Sequence, residues 1–144
     1  MSKSTLLYVE DEENDVFFMR YALRAEGSPF GMQTVGDGQA AIAYLSGREP
    51  YGDRRSHPFP QSVLLDINLP IVSGFEVLEW IRKQPHLKRL PVIIFSSSGR
   101  SEDRERARAL EADDYLTKPA SGLEFRTIVR TLYERWQASV GGSP

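Results

Sequence analysis

Residues 62–74 read Ser62-Val63-Leu64-Leu65-Asp66-Ile67-Asn68-Leu69-Pro70-Ile71-Val72-Ser73-Gly74. A short apolar run meets an aspartate, and a proline-bearing turn follows. Such a run, bounded by turn residues, is the pattern of a strand buried on both faces. Residues 62–66 are therefore expected as the central strand of a parallel sheet. Just beyond, Ser73-x-x-Glu76 has the form of a capping box, opening a helix that buries Val77, Leu78 and Ile81.

The same alternation extends in both directions. Toward the N-terminus lie an apolar strand at 5–9 and a helical pattern over 14–26 with Val16, Met19 and Leu23. A weaker strand at 30–35 follows, then Gly36-Asp37-Gly38, where Asp37 can cap the helix holding Ala41, Ile42 and Leu45. Toward the C-terminus, Pro91 opens a strand at 92–96, and residues 101–110 form a helix rich in alternating charge. A strand at 114–117 leads through Pro119 to a last helix. Its Phe125, Ile128, Val129, Leu132, Tyr133 and Trp136 make one apolar stripe. Five strands alternating with five helices predict a doubly wound α/β sheet with right-handed crossovers.

Four of these strands end in chemistry. Glu10 and Asp11 follow the first, Asp66 ends the third, Ser96 ends the fourth and Lys118 follows the fifth. In an open parallel sheet, ligands bind outside the carboxyl ends of the strands. Three carboxylates, a hydroxyl and an amine should thus meet at one edge, the donor set of a divalent metal and phosphoryl site. His57 and His86 lack metal-ligand spacing and are expected on the surface.

Composition narrows the classes. The chain has 144 residues, a net charge of −2 and no cysteine. That fits one domain and excludes disulfides, thiolate metal sites and cysteine catalysis. No basic excess points to nucleic acid. No apolar run approaches membrane length, and Met1-Ser2-Lys3-Ser4 lacks the core of a signal peptide. A cytoplasmic protein without nucleic-acid or membrane partners is expected.

Taken in order, Val-Glu10-Asp11, Leu-Leu-Asp66-x-x-Leu-Pro70-x-x-x-Gly74, Ser96 and Lys118-Pro119 resemble the receiver domain of two-component response regulators. The resemblance covers about residues 5–136, leaving 137–144 as a short tail of a single domain spanning 1–144. It implies a flavodoxin-like sheet of order 2-1-3-4-5. The Glu13-Asn14-Asp15-Val16 stretch, the long loop before the third strand and the Leu-Pro-Val-Ile-Ile-Phe-Ser-Ser-Ser run (90–98) look like the stand-alone regulators paired with phytochrome-type histidine kinases.

The resemblance implies a phosphoryl group accepted on Asp66 from a sensor histidine kinase, with output through protein contacts. It implies Mg²⁺ held directly by Asp11 and Asp66, by Glu10 through water and by the backbone carbonyl of Asn68. Lys118 would bind the phosphate and Ser96 would signal its presence to Tyr115, a switch aromatic. It also implies a cis Lys118–Pro119 bond. Independently of the name, a carboxylate at a strand end is a suitable nucleophile for phosphoryl transfer, which needs chiefly positioning and charge neutralisation. An alternative is a Mg-dependent phosphohydrolase with an aspartate nucleophile. Asn68, where such enzymes carry a second aspartate, argues against it. A nucleotide-binding module would need a glycine-rich first turn in place of Glu10-Asp11-Glu12-Glu13.

Other stretches read less sharply. Residues 47–60 hold three prolines and no periodic pattern, as a tolerated insertion or a functional loop would. Val140-Gly-Gly-Ser-Pro144 is expected to be disordered or tied down by another chain. Glu111 stands where the resembled family has glycine, and a positive φ there would carry strain of order 1 kcal/mol. Trp136, expected with little core to cover it, and the charged helix at 101–110 suggest a homodimer through the fourth and fifth helices.

Overall fold

The structure is a computed structural model, and it describes residues 4–27 and 30–141, with side chains to residue 137. Strands β1 (Ser4–Val9), β2 (Phe30–Val35), β3 (Ser62–Leu65), β4 (Val92–Ser96) and β5 (Asp114–Thr117) alternate with five helices. These are α1 (Glu13–Ala25), α2 (Gly38–Ser46), α3 (Gly74–Lys83), α4 (Ser101–Ala109) and α5 (Phe125–Gly141). The five strands form one parallel sheet of order β2-β1-β3-β4-β5. The doubly wound reading and its strand order therefore hold.

Side-chain alternation along each strand divides the core into two layers. Leu6, Tyr8, Leu64, Ile93 and Phe95 face Met19 and Ala22 of α1 and Phe125, Val129 and Leu132 of α5. Leu7, Val9, Val63, Leu65, Val92 and Ile94 face Tyr44, Val77, Leu78, Ile81 and Ala107 of the other three helices. The central strands are apolar except at their ends, where Ser4, Thr5, Ser62 and Ser96 lie, because both faces are covered. The expected caps also form. Asp37 accepts the Ala40 N–H at 2.7 Å, and the Ser73 hydroxyl accepts that of Glu76 at 3.2 Å.

Three sequence expectations change. Trp136 is half-buried rather than uncovered, edge-on to Phe30 and stacked on Tyr133, because the apolar stripe of α5 reaches the start of β2. His57 is half-buried too, with its ring edge-on to Tyr44 and Tyr51. It is drawn in because the 47–60 segment folds back on α2. There Tyr44 donates to the Pro58 carbonyl at 2.8 Å and the Arg54 guanidinium lies over the Tyr44 and Phe59 rings. His86 is exposed as expected. The C-terminal tail, expected from residue 137, is helical through Gly141, and residues 142–144 lie outside the described residues. Among the described residues, no helix is long and apolar enough to cross a membrane.

Candidate functional site

Glu10, Asp66, Ser96 and Lys118 each stand at or one step beyond the end of a strand, Asp11 and Asn68 lie two and three residues beyond, and Tyr115 lies within β5. The Glu10 N–H donates to Val35, that of Asp66 to Val9 and that of Lys118 to Ser96, at 3.0, 3.2 and 2.8 Å. The sheet thus holds these backbones while their side chains project past its edge. Strand parity sorts them. Glu10, Asp66 and Lys118 continue the row of Tyr8, Leu64 and Leu116 toward α1 and α5, whereas Tyr115 packs against the opposite core layer.

On the α1 side the three converge. The Lys118 ammonium lies 2.6 Å from Glu10 Oε1 and 3.2 Å from Asp66 Oδ2. It also reaches Asp15 Oδ2 at 2.8 Å, a residue outside the expected set. Asp15 lies in the first turn of α1, four residues after Asp11 in a run of acidic residues, and that acidic first turn was the available signal. Glu10, Asp66 and the Lys118 side chain are buried, Asp15 is partly exposed, and Asp11 is exposed. Ligand oxygens of Glu10, Asp11 and Asp66 lie within 4.8 Å of one another. This set of hard oxygen donors suits Mg²⁺ or a similar divalent ion, which is commonly bound by one or two carboxylates with waters retained.

The charge balance perturbs the buried groups. Burial pushes the Glu10 carboxyl up to about 7, against the pull of Lys118 and with Asp66 adding to the rise. Burial alone would lower the Lys118 amine, but its bonds to Asp15 and Glu10 and the nearby Asp66 raise it. The Tyr8 hydroxyl, buried beneath and donating to Glu10 Oε1 at 3.2 Å, is raised by burial and then by Glu10.

The loop after β3 is closed tightly over Asp66. Asn68 N–H donates to Asp66 Oδ1 at 3.3 Å, and Gly74 N–H to the Ile67 carbonyl at 2.9 Å. A Cβ on Gly74 would lie 2.0 Å from the Asp66 carbonyl oxygen, so this approach admits only glycine. In the same loop Ile71 has φ 67° and Val72 N–H bonds Pro70 O at 2.7 Å, an unusual backbone for an exposed β-branched residue. Glu111 has φ 66°, as the expected turn requires. The cis bond expected at Lys118–Pro119 is absent; the amine reaches all three carboxylates with that bond trans, and the cis bond among the described residues is Glu49–Pro50.

Ser96 is fully buried at the end of β4, its hydroxyl accepting the Ser98 N–H at 3.2 Å. Tyr115 donates to the Ser98 carbonyl at 2.8 Å, so the two residues meet through the β4–α4 loop. Arg104 covers the Tyr115 ring at 4.6 Å and donates to Thr117 at 2.8 Å. Arg104 is thus engaged within its own chain.

A family model for the response regulator receiver domain matches residues 6–130. The chain belongs to that family. Receivers are in general signalling modules rather than metabolic enzymes. This receiver is 34% identical to the probable methanogenesis regulatory protein FilR2 of Methanothrix harundinacea, over 91% of this chain and 82% of FilR2. It is 31% identical to response regulator Rcp1 of Synechocystis, over 94% and 90% of the two chains. Among solved structures, the phosphorylated cyanobacterial phytochrome response regulator RcpA superposes with a TM-score of 0.86 at 33% identity, covering 96% of each chain. The Mn²⁺-bound form of Rcp1 gives 0.81 at 31% identity, covering 92% of this chain and 94% of that one. A divalent ion is thus bound in a relative, and this receiver has an acidic cluster, Glu10, Asp11 and Asp66, that could hold one.

Proposed function

We propose that this receiver takes a phosphoryl group from a phosphohistidine of a sensor histidine kinase onto Asp66, in a Mg²⁺-dependent reaction, and loses it by hydrolysis. The observation that carries this reading is the buried Asp66 carboxylate, held 3.2 Å from the Lys118 ammonium among the acids of one sheet edge. A carboxylate oxygen attacks phosphorus, the P–N bond breaks, and the imidazole leaves with its electron pair and is protonated. The ion, when bound, neutralises the phosphoryl oxygens. Asp11, Asp66 and the Asn68 carbonyl are its direct protein ligands in this proposal. Glu10 acts through water, which fits the bonds its two oxygens already accept from Lys118, Tyr8 and the Glu12 N–H.

Lys118 then holds a phosphoryl oxygen. Ser96 turns its hydroxyl to another, breaking its contact with Ser98, and Tyr115 leaves the Ser98 carbonyl for the vacated space. The surface of α4, β5 and α5 changes with it and carries the output by protein contact. The kinase is of the phytochrome type, a reading supported by the likeness to RcpA and Rcp1. A second copy on α4 and α5 belongs to the same proposal. Its support is the exposed charge of α4, where Arg108 and Glu105 sit on the surface, although they already pair with each other. Trp136, being covered, lends it none.

The test is labelling by a phosphorylated kinase or by acetyl phosphate. Wild type should take label in Mg²⁺ and take little when EDTA is present from the start, and Asp66→Asn should take none while keeping its circular dichroism. Label retained in Asp66→Asn would place the acceptor elsewhere. Light scattering with and without acetyl phosphate decides the second copy.

A further inference from the structure

We infer that Asp15 is a positioning residue that competes with the acceptor for Lys118, holding the amine until the phosphoryl group displaces it. The inference rests on the receiver reading above. An ammonium has three N–H donors, and Lys118 has three acceptors: Glu10 at 2.6 Å, Asp15 at 2.8 Å and Asp66 at 3.2 Å. The contact with the acceptor is the longest of the three. A phosphoryl group on Asp66 brings new anionic oxygens, and Lys118 can bind one only by releasing a present partner.

The three partners differ in how freely they can let go. Glu10 has a fully buried side chain that is also tied to Tyr8 and to the Glu12 N–H, and freeing it would strand a buried acid. Asp66 is the acceptor itself. Asp15 stands in the first turn of α1 with its side chain 24% exposed, so it can turn to water. Phosphorylation therefore exchanges the Asp15–Lys118 bond for a phosphate–Lys118 bond, and Asp15 opposes the reaction by the strength of the bond lost.

Removing the competitor should speed acceptance. Asp15→Ala should be labelled by acetyl phosphate about ten-fold faster than wild type, the lower end of what loss of one charged hydrogen bond implies. Asp15→Asn should lie between them, and Asp15→Glu should restore the wild-type rate. Glu13→Gln removes an acidic charge from the same helical turn without touching Lys118, and its rate should stay at wild type. The Lys118 side-chain ammonium, followed by nitrogen-15 resonance, should exchange its hydrogens faster in Asp15→Ala and not in Glu13→Gln. Equal acceleration by Glu13→Gln, a fall in rate in Asp15→Ala, or an unchanged ammonium signal would overturn the role of Asp15. A wild type that takes no label would overturn the receiver chemistry itself, and with it this inference.

Discussion

Two ionic clusters in this molecule have opposite stoichiometry. At the carboxyl edge of the sheet one ammonium, Lys118, serves Glu10, Asp15 and Asp66. On the far side, one carboxylate at the end of α1, Glu26, is shared by Arg126 and Arg130 of α5, at 2.6 and 2.8 Å. The carboxyl with two cations is pulled down to about 2 by its bonds from Arg130 and Arg126. The buried carboxyl that shares one cation is pushed up to about 7. A surplus of exposed cations around one half-buried acid makes a clasp, here between α1 and α5. A surplus of buried acids around one cation makes a site short of positive charge, which a divalent ion and a shifting lysine can both exploit.

The contrast can be broken most forcibly at Lys118. Lys118→Ala leaves three carboxylates without their common cation, and loss of one partner from a buried ionic group costs about 3–5 kcal/mol. Urea unfolding at pH 8 in EDTA should show that loss, and millimolar Mg²⁺ should recover part of it. A variant as stable as wild type in EDTA would mean that the acids do not depend on the amine.

A smaller effect sharpens the comparison through pH. Because the folded Glu10 value lies near 7 and the ordinary one at 4.5, its contribution to stability is fully present below 4.5 and is lost as pH rises through 7. Glu10→Gln mimics the protonated form. It should match wild type near pH 4.5 and exceed it above pH 7 by up to about 3 kcal/mol in EDTA. A difference between the two proteins that does not change with pH would contradict the buried-acid reading.

The smallest effect is expected at the clasp. Glu26 has the opposite sign, so its contribution is present above 4.5 and lost as pH falls toward 2. Glu26→Gln should lower the unfolding temperature slightly at pH 7, less in high salt because the arginines are exposed, and not at all near pH 2. A salt-independent loss would mark the pair as a buried structural bridge instead.

Much of this was legible before the fold was known. The runs ending in Asp66 and Ser96 read as strands because a strand covered on both faces has no room for polar residues along its length. A polar residue at its end is therefore conspicuous, and strand ends in a parallel sheet lie together. That logic reached Glu10, Asp66, Ser96 and Lys118, and side-chain parity could further have separated Lys118 from Tyr115. It did not reach Asp15, which hides among four other polar residues at the head of α1.

The sequence by itself determined the alternation of elements, the two apolar layers and the residues at the sheet edge, because each depends on patterns a few residues long. Only the tertiary structure decided that Asp15 meets Lys118 from 103 residues away, that the 47–60 segment draws His57 in, and that Phe30 of β2 meets Trp136 of α5. Those contacts depend on how helices seat on the sheet. Seating is a collective result of packing two whole layers, and no local run of residues encodes it.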